Sequence, residues 1–290
     1  MEERLLSKTK DIDFVGDIHG YQLELVSLLT KMDYECVNGV WRHPSRTALF
    51  LGDYVDRGVY GREVIATVSK MVDEGYAIAN NGNHELNNIG IQTLRPGSGN
   101  EYLRPRSRKN LKICKTFTEQ ITNDMEMKSV IDWFKSLPLY TANDSFRAIH
   151  AYWNSGLIED LSSYLTSGRM SDDFIVRAFT EGTHEYFLVE NLLKGPERDL
   201  PDGKSYMDAN GIERTSERVK WWNEPVGGEF SYPLDAPPLF FGHYWMTGEP
   251  RVQQDNAVCL DYSICKGGKI AAYRWNGEKV LSASNIVTSS

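Results

Sequence analysis

The chain has 290 residues, of which 41% are hydrophobic and 25% charged, a balance that fits one sizeable α/β core and excludes a disordered chain. Its net charge of −8, from 32 basic and 40 acidic residues, argues against broad binding to nucleic acid or to an anionic membrane. No apolar run is long enough to span a bilayer, and the start MEERLLSKTK lacks the apolar stretch of a secretion signal, so a cytoplasmic protein is expected.

The first apolar run, IDFVGDIHG, is a predicted strand that ends in a polar cluster with Asp17 and His19. YQLELVSLLTKM follows, with Leu25, Leu28, Leu29 and Met32 at helical spacing. A second strand, in TALFLGDYVDRG, ends in Asp53, Asp56 and Arg57. GREVIATVSKMVDEG then puts Val64, Ile65, Val68, Met71 and Val72 on one helical face. The third strand, in YAIANNGNHE, ends at Asn83 and His84. Strands alternating with helices predict βαβ units and buried, largely parallel strands in this part of the chain. Residues 86 to about 145 hold a Pro/Gly/Arg-rich loop, LRPGSGNEYLRPRSRKN, followed by helical segments. FRAIHAYW is a fourth strand ending at His150. Residues 157 to about 235 begin helically and pass into loops rich in Gly and Pro, with a turn signal at Asp208-Ala209-Asn210-Gly211. PPLFFGHYW is a fifth strand ending at His243. The tail, NAVCLDYSICKGGKIAAYRW, alternates and turns at Lys266-Gly267-Gly268, which predicts a hairpin closing the sheet.

Each polar cluster has a plain structural reading. GDIHG fits an Asx turn, and GNHE fits a helix start with Asn83 as N-cap and Glu85 in the first turn. A single strand-end histidine is more often a satisfied core residue than a ligand. GDYVDRG is harder to explain this way, because uncompensated carboxylates next to a buried strand are costly. The joint pattern decides: in an open α/β sheet the ligand site lies beyond the carboxyl ends of the strands, and every one of these clusters is there. Four of the six histidines belong to the set, and His43 and His184 do not. Carboxylate, imidazole and amide oxygen together suit a borderline divalent metal. The four cysteines, Cys36, Cys114, Cys259 and Cys265, form no C-x-x-C pair and are expected to be buried free thiols.

At GDIHG, GDYVDRG, GNHE, IHAYW and FGHYW the chain resembles the calcineurin-like metallophosphoesterases, in their phosphoprotein-phosphatase and diadenosine-tetraphosphatase branch. The fourth motif departs from the family, which has HGG or HAG where this chain has HAY. The resemblance implies a four-layer α/β/β/α sandwich with mixed sheets, formed as one domain over residues 1–290 with variable insertions at about 86–145 and 157–235. It implies two divalent metal ions, Mn²⁺ first and Fe or Zn²⁺ as alternatives, that activate water as hydroxide. Asp17, His19 and His243 would hold one metal, Asn83 and His150 the other, and Asp53 would bridge them. His84 would be the general acid, Asp56 would orient it, and Arg57 would bind the phosphate oxygens. A second phosphate-binding arginine is usual shortly before the last histidine, where Arg214 and Arg218 lie. The run Arg104, Arg106, Arg108, Lys109 and Lys112 is either a guide for a polyanion or a solvated face, and Trp221-Trp222 either stack on a base or pack in the core. The expected activity is hydrolysis of a phosphoric ester or phosphoanhydride in a phosphoprotein or nucleotide, with no stable nucleic-acid or membrane partner. The alternative is an inactive metal- or partner-binding module of the same fold.

Overall fold

The computed structural model describes residues 11–166, 168–207 and 213–289. The amino-terminal MEERLLSKTK and the turn signal at 208–211 lie outside them. Strands β1 (Ile12–Val15), β2 (Glu35–Val37), β3 (Val40–Arg42), β4 (Thr47–Phe50) and β5 (Ala77–Ala79) alternate with helices α1 (Gln22–Lys31) and α2 (Gly61–Asp73). Helices α3 (Asn83–Gln92), α4 (Arg108–Thr118) and α5 (Asp124–Ser136) precede β6 (Tyr140–Ala142) and β7 (Arg147–Ile149). Then come α6 (Ser155–Tyr164), α7 (Asp172–Ala178) and α8 (His184–Lys194), followed by short strands β8 (Glu197–Asp199), β9 (Tyr206–Met207), β10 (Glu213–Arg214) and β11 (Ser216–Arg218). The chain closes with β12 (Leu239–Phe241), β13 (Ala257–Cys259), β14 (Asp261–Tyr262), β15 (Lys269–Trp275) and β16 (Ile286–Thr288).

Two sheets carry the fold. The first has the order β14-β15-β1-β4-β5, with β16 also on β15; the second is β13-β12-β7-β6. β1, β4 and β5 run parallel, as the βαβ pattern predicts, while β15 joins β1 antiparallel with Phe14 opposite Tyr273. The tail divides where one hairpin was expected. β13 pairs with β12 in the second sheet, and only β14 and β15 form a hairpin in the first.

The strand period of two sorts the apolar side chains into two cores. Between the sheets lie Phe14, Leu49 and Ile78 from one and Phe146, Ala148, Phe240 and Val258 from the other. Phe14 stacks on Phe240 with ring centroids 3.6 Å apart. The alternate residues, Val15, Phe50, Ala79, Ile149, Leu239 and Phe241, face outward onto a second core that includes Leu25, Leu28 and Leu29 of α1, Val64 and Val68 of α2, and Leu188 and Leu192 of α8. Helices therefore cover both outer faces, giving the four layers. With both faces of each strand covered, the strands read as continuous apolar runs rather than alternating ones.

The helices differ in how they begin. α4 to α8 each carry a Ser, Asn or Thr cap whose side chain accepts an N–H from the first turn. Such a cap contributes about 1 kcal/mol. α1, α2 and α3 start after Tyr21, Tyr60 and Gly82 with no side-chain cap, and these are the helices that follow the first three polar strand ends. Asn83 is the first residue of α3, one position inside the N-cap expected of it. All four cysteines are free; Cys114 and Cys259 are buried as expected, but Cys36 is exposed and Cys265 half-buried. No helix among the described residues is long and apolar enough to cross a membrane.

Candidate metal centre and active site

The loops after β1, β4, β5, β7 and β12 meet at one end of the two sheets. Their backbones are tied together: the N–H groups of Ile18 and His19 both donate to Asp53 O, at 3.0 and 2.8 Å, and Gly58 N–H donates to His19 O at 2.8 Å. His19, Asp53, Asp56, Arg57 and His243 all have positive φ, between 49° and 74°. Each such residue costs about 1–3 kcal/mol, and clusters of them mark sites whose geometry the surroundings impose. Two motif glycines are required by contact. A Cβ at Gly82 would sit 2.3 Å from Asp53 Oδ1, and one at Gly242 would sit 2.1 Å from Asp17 Oδ1.

Asp53 is at the centre of the site. Its Oδ2 lies 3.6 Å from His19 Nε2 and its Oδ1 lies 3.4 Å from His150 Nε2, while Oδ1 also accepts the His84 N–H at 2.9 Å. Asp17 Oδ2 is 3.9 Å from His19 Nε2. Asn83 Oδ1 faces His150 Nε2 at 3.0 Å and His243 Nδ1 at 2.7 Å. Two groups whose donor atoms lie within 4.8 Å of one another emerge, His19–Asp53–His84 and Asp53–His150–His243.

The structure corrects one sequence expectation here. His243 reaches Asp17 only through its backbone N–H, at 3.2–3.3 Å, while its ring turns toward Asn83 and His150. His243 therefore groups with Asp53, Asn83 and His150 rather than with Asp17 and His19.

The chemistry of the donors fits cations. His150 Nδ1 is 3.0 Å from Leu51 O and His19 Nδ1 is 3.2 Å from Val55 O, so each ring places its proton on Nδ1. Burial and the neighbouring His84 push the pKa of His19 down to about 3, which keeps it neutral. Its Nε2 lone pair then points at carboxylate oxygens, an arrangement that a cation resolves. Carboxylates accumulate behind these rings. Burial, then Asp261 and Asp53, hold the pKa of Asp17 well above its ordinary value, and burial with Asp53 pushes Glu85 up to about 7. Asp53 itself is held well below the usual range, because against burial it faces the imidazoles of His150 and His84.

His84 Nδ1 is 2.6 Å from Asp56 Oδ2, which leaves Nε2 for other chemistry. Burial would lower the pKa of His84, but Asp53 and Asp56 outweigh it and hold it above its ordinary value. Arg57 is exposed and lies over the Trp245 ring, with Cζ 5.4 Å from the centroid. Of the two upstream arginines, Arg218 reaches the site: Nη1 donates to His243 Nε2 at 2.5 Å and Nη2 to Glu197 Oε1 at 3.2 Å. Arg214 sits exposed on the β9–β10 ladder. Trp221 and Trp222 are buried and belong to the core. Arg104 is taken up by Asn87 and Asn110, and Arg106 lies over Tyr102, in a wall shared with a cavity of about 800 Å³ that includes no residue of the metal site.

Three residues contribute to the site without having been assigned to it from the sequence. Glu85 accepts from Asp53 N and Gly82 N through Oε2, at 2.7 and 3.0 Å, and from Tyr54 N through Oε1 at 2.8 Å. It thereby pins the GDYVDRG loop to the start of α3. Asn88 donates to Asp56 Oδ2 at 3.3 Å, one turn beyond His84. Asp261, buried behind Asp17, accepts the N–H groups of Trp245 and Ser263. The i, i+4 spacing from His84 was a usable signal for Asn88, whereas nothing in LDYS marked Asp261.

The calcineurin-like phosphoesterase profile matches residues 10–272, nearly the whole described chain. The chain belongs to that family. Family members hydrolyse phosphoric esters with divalent metal ions, and the calcineurin-like phosphoesterase described here carries His and Asp groups suited to them. It is similar to the symmetrical bis(5'-nucleosyl)-tetraphosphatase of Photorhabdus laumondii, 22% identical over 299 residues that cover 94% of this chain and 96% of the relative. It is also similar to the asymmetrical bis(5'-nucleosyl)-tetraphosphatase of Halalkalibacterium halodurans, 44% identical over 73 residues. That match spans 25% of this chain and 30% of the relative's length. A serine/threonine phosphatase from Saccharomyces cerevisiae shares the fold, with a TM-score of 0.56 at 18% identity over 97% of this chain and 79% of that one.

Proposed function

We propose that this calcineurin-like phosphoesterase hydrolyses a phosphoanhydride bond of a dinucleoside polyphosphate. The observation that carries the reading is the Asp53 carboxylate, whose two oxygens face different imidazoles, His19 on one side and His150 on the other. Such sharing suits two divalent ions, Mn²⁺ first, with Fe and Zn²⁺ as alternatives. Asp17, His19 and Asp53 would hold one, and Asp53, Asn83, His150 and His243 the other. When bound, the pair supplies Lewis acidity that makes water nucleophilic near neutral pH and neutralises phosphoryl charge. The remaining roles fall to this chain's own side chains. Asp56 fixes the His84 ring through Nδ1, so that Nε2 gives its proton to the leaving oxygen. Arg57, at the mouth, takes the phosphate oxygens with its planar fork. Arg218 donates to His243 Nε2, which puts that ring's proton on Nδ1. His243 would hold its ion through Nδ1 with the ring proton on Nε2, and Arg218 would then be available to substrate.

The dinucleoside polyphosphate class is favoured over a phosphoprotein by the relative that matches over nearly the full length of both chains. An inactive module would have no use for the His84–Asp56 pair, whose integrity favours an enzyme. We also read the chain as one domain, because the first sheet pairs β1 and β15 from opposite ends of the described residues. The test is metal analysis of the purified protein together with Mn²⁺-dependent hydrolysis of p-nitrophenyl phosphate, a phosphopeptide and diadenosine tetraphosphate. Two metals per chain and the highest kcat/KM on the tetraphosphate are expected. Preference for the phosphopeptide would overturn the substrate class, and a chain that binds no divalent metal would overturn the site.

A further inference from the structure

Trp245 lies two residues beyond His243, with a φ of 52° that a tryptophan rarely adopts. The buried Asp261 holds it there, since Oδ2 accepts the Trp245 N–H at 2.6 Å. The same carboxylate, through Oδ1, accepts the N–H of Ser263 at 2.9 Å, and Ser263 Oγ donates to Met246 O at 2.9 Å. Ser263, also at positive φ, opens the short turn Ile264–Lys266. One buried acid thus fixes two loops, and through them the indole of Trp245 meets two cations. Arg57 Cζ is 5.4 Å from its ring centroid and Lys266 Nζ is 3.7 Å. Among the described residues neither cation is within ion-pair distance of a carboxylate, and both side chains are exposed.

An exposed lysine ordinarily keeps its rotamer freedom and its hydration. Here Lys266 lies against the same indole as Arg57, an interaction of about 0.5–1 kcal/mol at an exposed site. Two like charges held on one ring leave a gap in the local electrostatics that an extended anion fills. A lone phosphoryl group at the metal centre meets Arg57 and has nothing to offer Lys266, whereas a chain of phosphates presents a further charge.

We propose that Lys266, positioned by Trp245, is a second phosphate-binding cation beside Arg57 that selects substrates carrying a phosphate next to the one attacked. The assignment rests on the hydrolase reading above and narrows its substrate class to polyphosphate chains. Its test is calorimetric titration of the metal-loaded protein, at a buffered free Mn²⁺ concentration, with inorganic tripolyphosphate, orthophosphate and a methylene-bridged diadenosine tetraphosphate. Lys266→Ala is expected to weaken tripolyphosphate about tenfold and orthophosphate less than about twofold, the loss of one charge-assisted contact. Lys266→Arg should restore most of the affinity. Trp245→Leu should reproduce the alanine effect while Trp245→Phe, which keeps an aromatic face, should not. Equal losses for both anions, or none for either, would overturn the assignment. A selective loss for tripolyphosphate in a protein that does not bind the dinucleoside compound would uphold Lys266 and reject the dinucleoside reading.

Discussion

At the scale of single residues, the 2.6 Å contact between His84 and Asp56 is the part of the site whose chemistry does not depend on which metal is bound. His84→Asn should lower kcat by about 10²–10⁴-fold with metal content unchanged, the loss usual for a general acid. The pH dependence separates the acid from its partner. Against burial, Asp53 and Asp56 hold the His84 pKa up. On the proposal that His84 is the general acid, the protonated ring is the competent form, and kcat should fall as pH rises through that raised pKa. Asp56→Asn removes one of the two supports, and the descending limb of the kcat profile should move to lower pH; a limb that stays in place would mean that another group supplies the proton. These residues were legible in the sequence because their motifs are short and local. Asp261 was not, because its role is defined by Trp245 and Ser263, which meet only when two distant loops fold together.

At the scale of elements, the inter-sheet layer and the far end of β1 make separate demands. Phe240 stacks on Phe14 and also contacts Tyr273, so Phe240→Ala should cost about 3–5 kcal/mol in urea unfolding with little change in the site's ligands. Asp13, on β1, pairs with Arg46 Nε at 2.8 Å and accepts from Tyr34 at 3.1 Å. Burial raises its pKa above 3.8 despite the arginines Arg46 and Arg274. The folded state therefore binds this proton more tightly than the unfolded chain, and the stability from it is present at low pH and lost as pH rises from the unfolded value through the raised one. Unfolding of Asp13→Asn followed across that window should lack this decline, and parallel curves for variant and wild type would refute it. The five main strands and first two helices were readable because apolar period and strand-end polarity agree there. The short ladders β8–β11 and β9–β10 were not, since their exposed residues carry no periodic signal.

At the scale of the whole molecule, the fold concentrates buried acid at one point. Asp17, Asp53, Glu85 and Asp261 are all buried around the strand ends. Mutual repulsion there opposes folding, and a bound cation relieves it. Chelation should lower the melting temperature and Mn²⁺ should restore it, with a gain of about 2.7 kcal/mol at a hundredfold excess over Kd. A melting temperature indifferent to both would show that the cluster is neutralised by protons alone. Convergence of the five motifs on one end of the sheets followed from the sequence through the strand-end rule. Division of the tail between two sheets did not, because AVC and LDY are both short buried runs and only partner strands distinguish them.

The place of β15 has a consequence for how the protein is made. This strand is synthesised more than 250 residues after β1, yet it is β1's antiparallel neighbour. A ribosome that has translated all five polar motifs has still produced a sheet with β1 unpaired on one side. Until Lys269–Trp275 emerges, that edge is open to other chains. Quality of the nascent polypeptide should thus depend on chaperone occupancy late in translation, and a stalled product should be prone to aggregation rather than act as a partial enzyme.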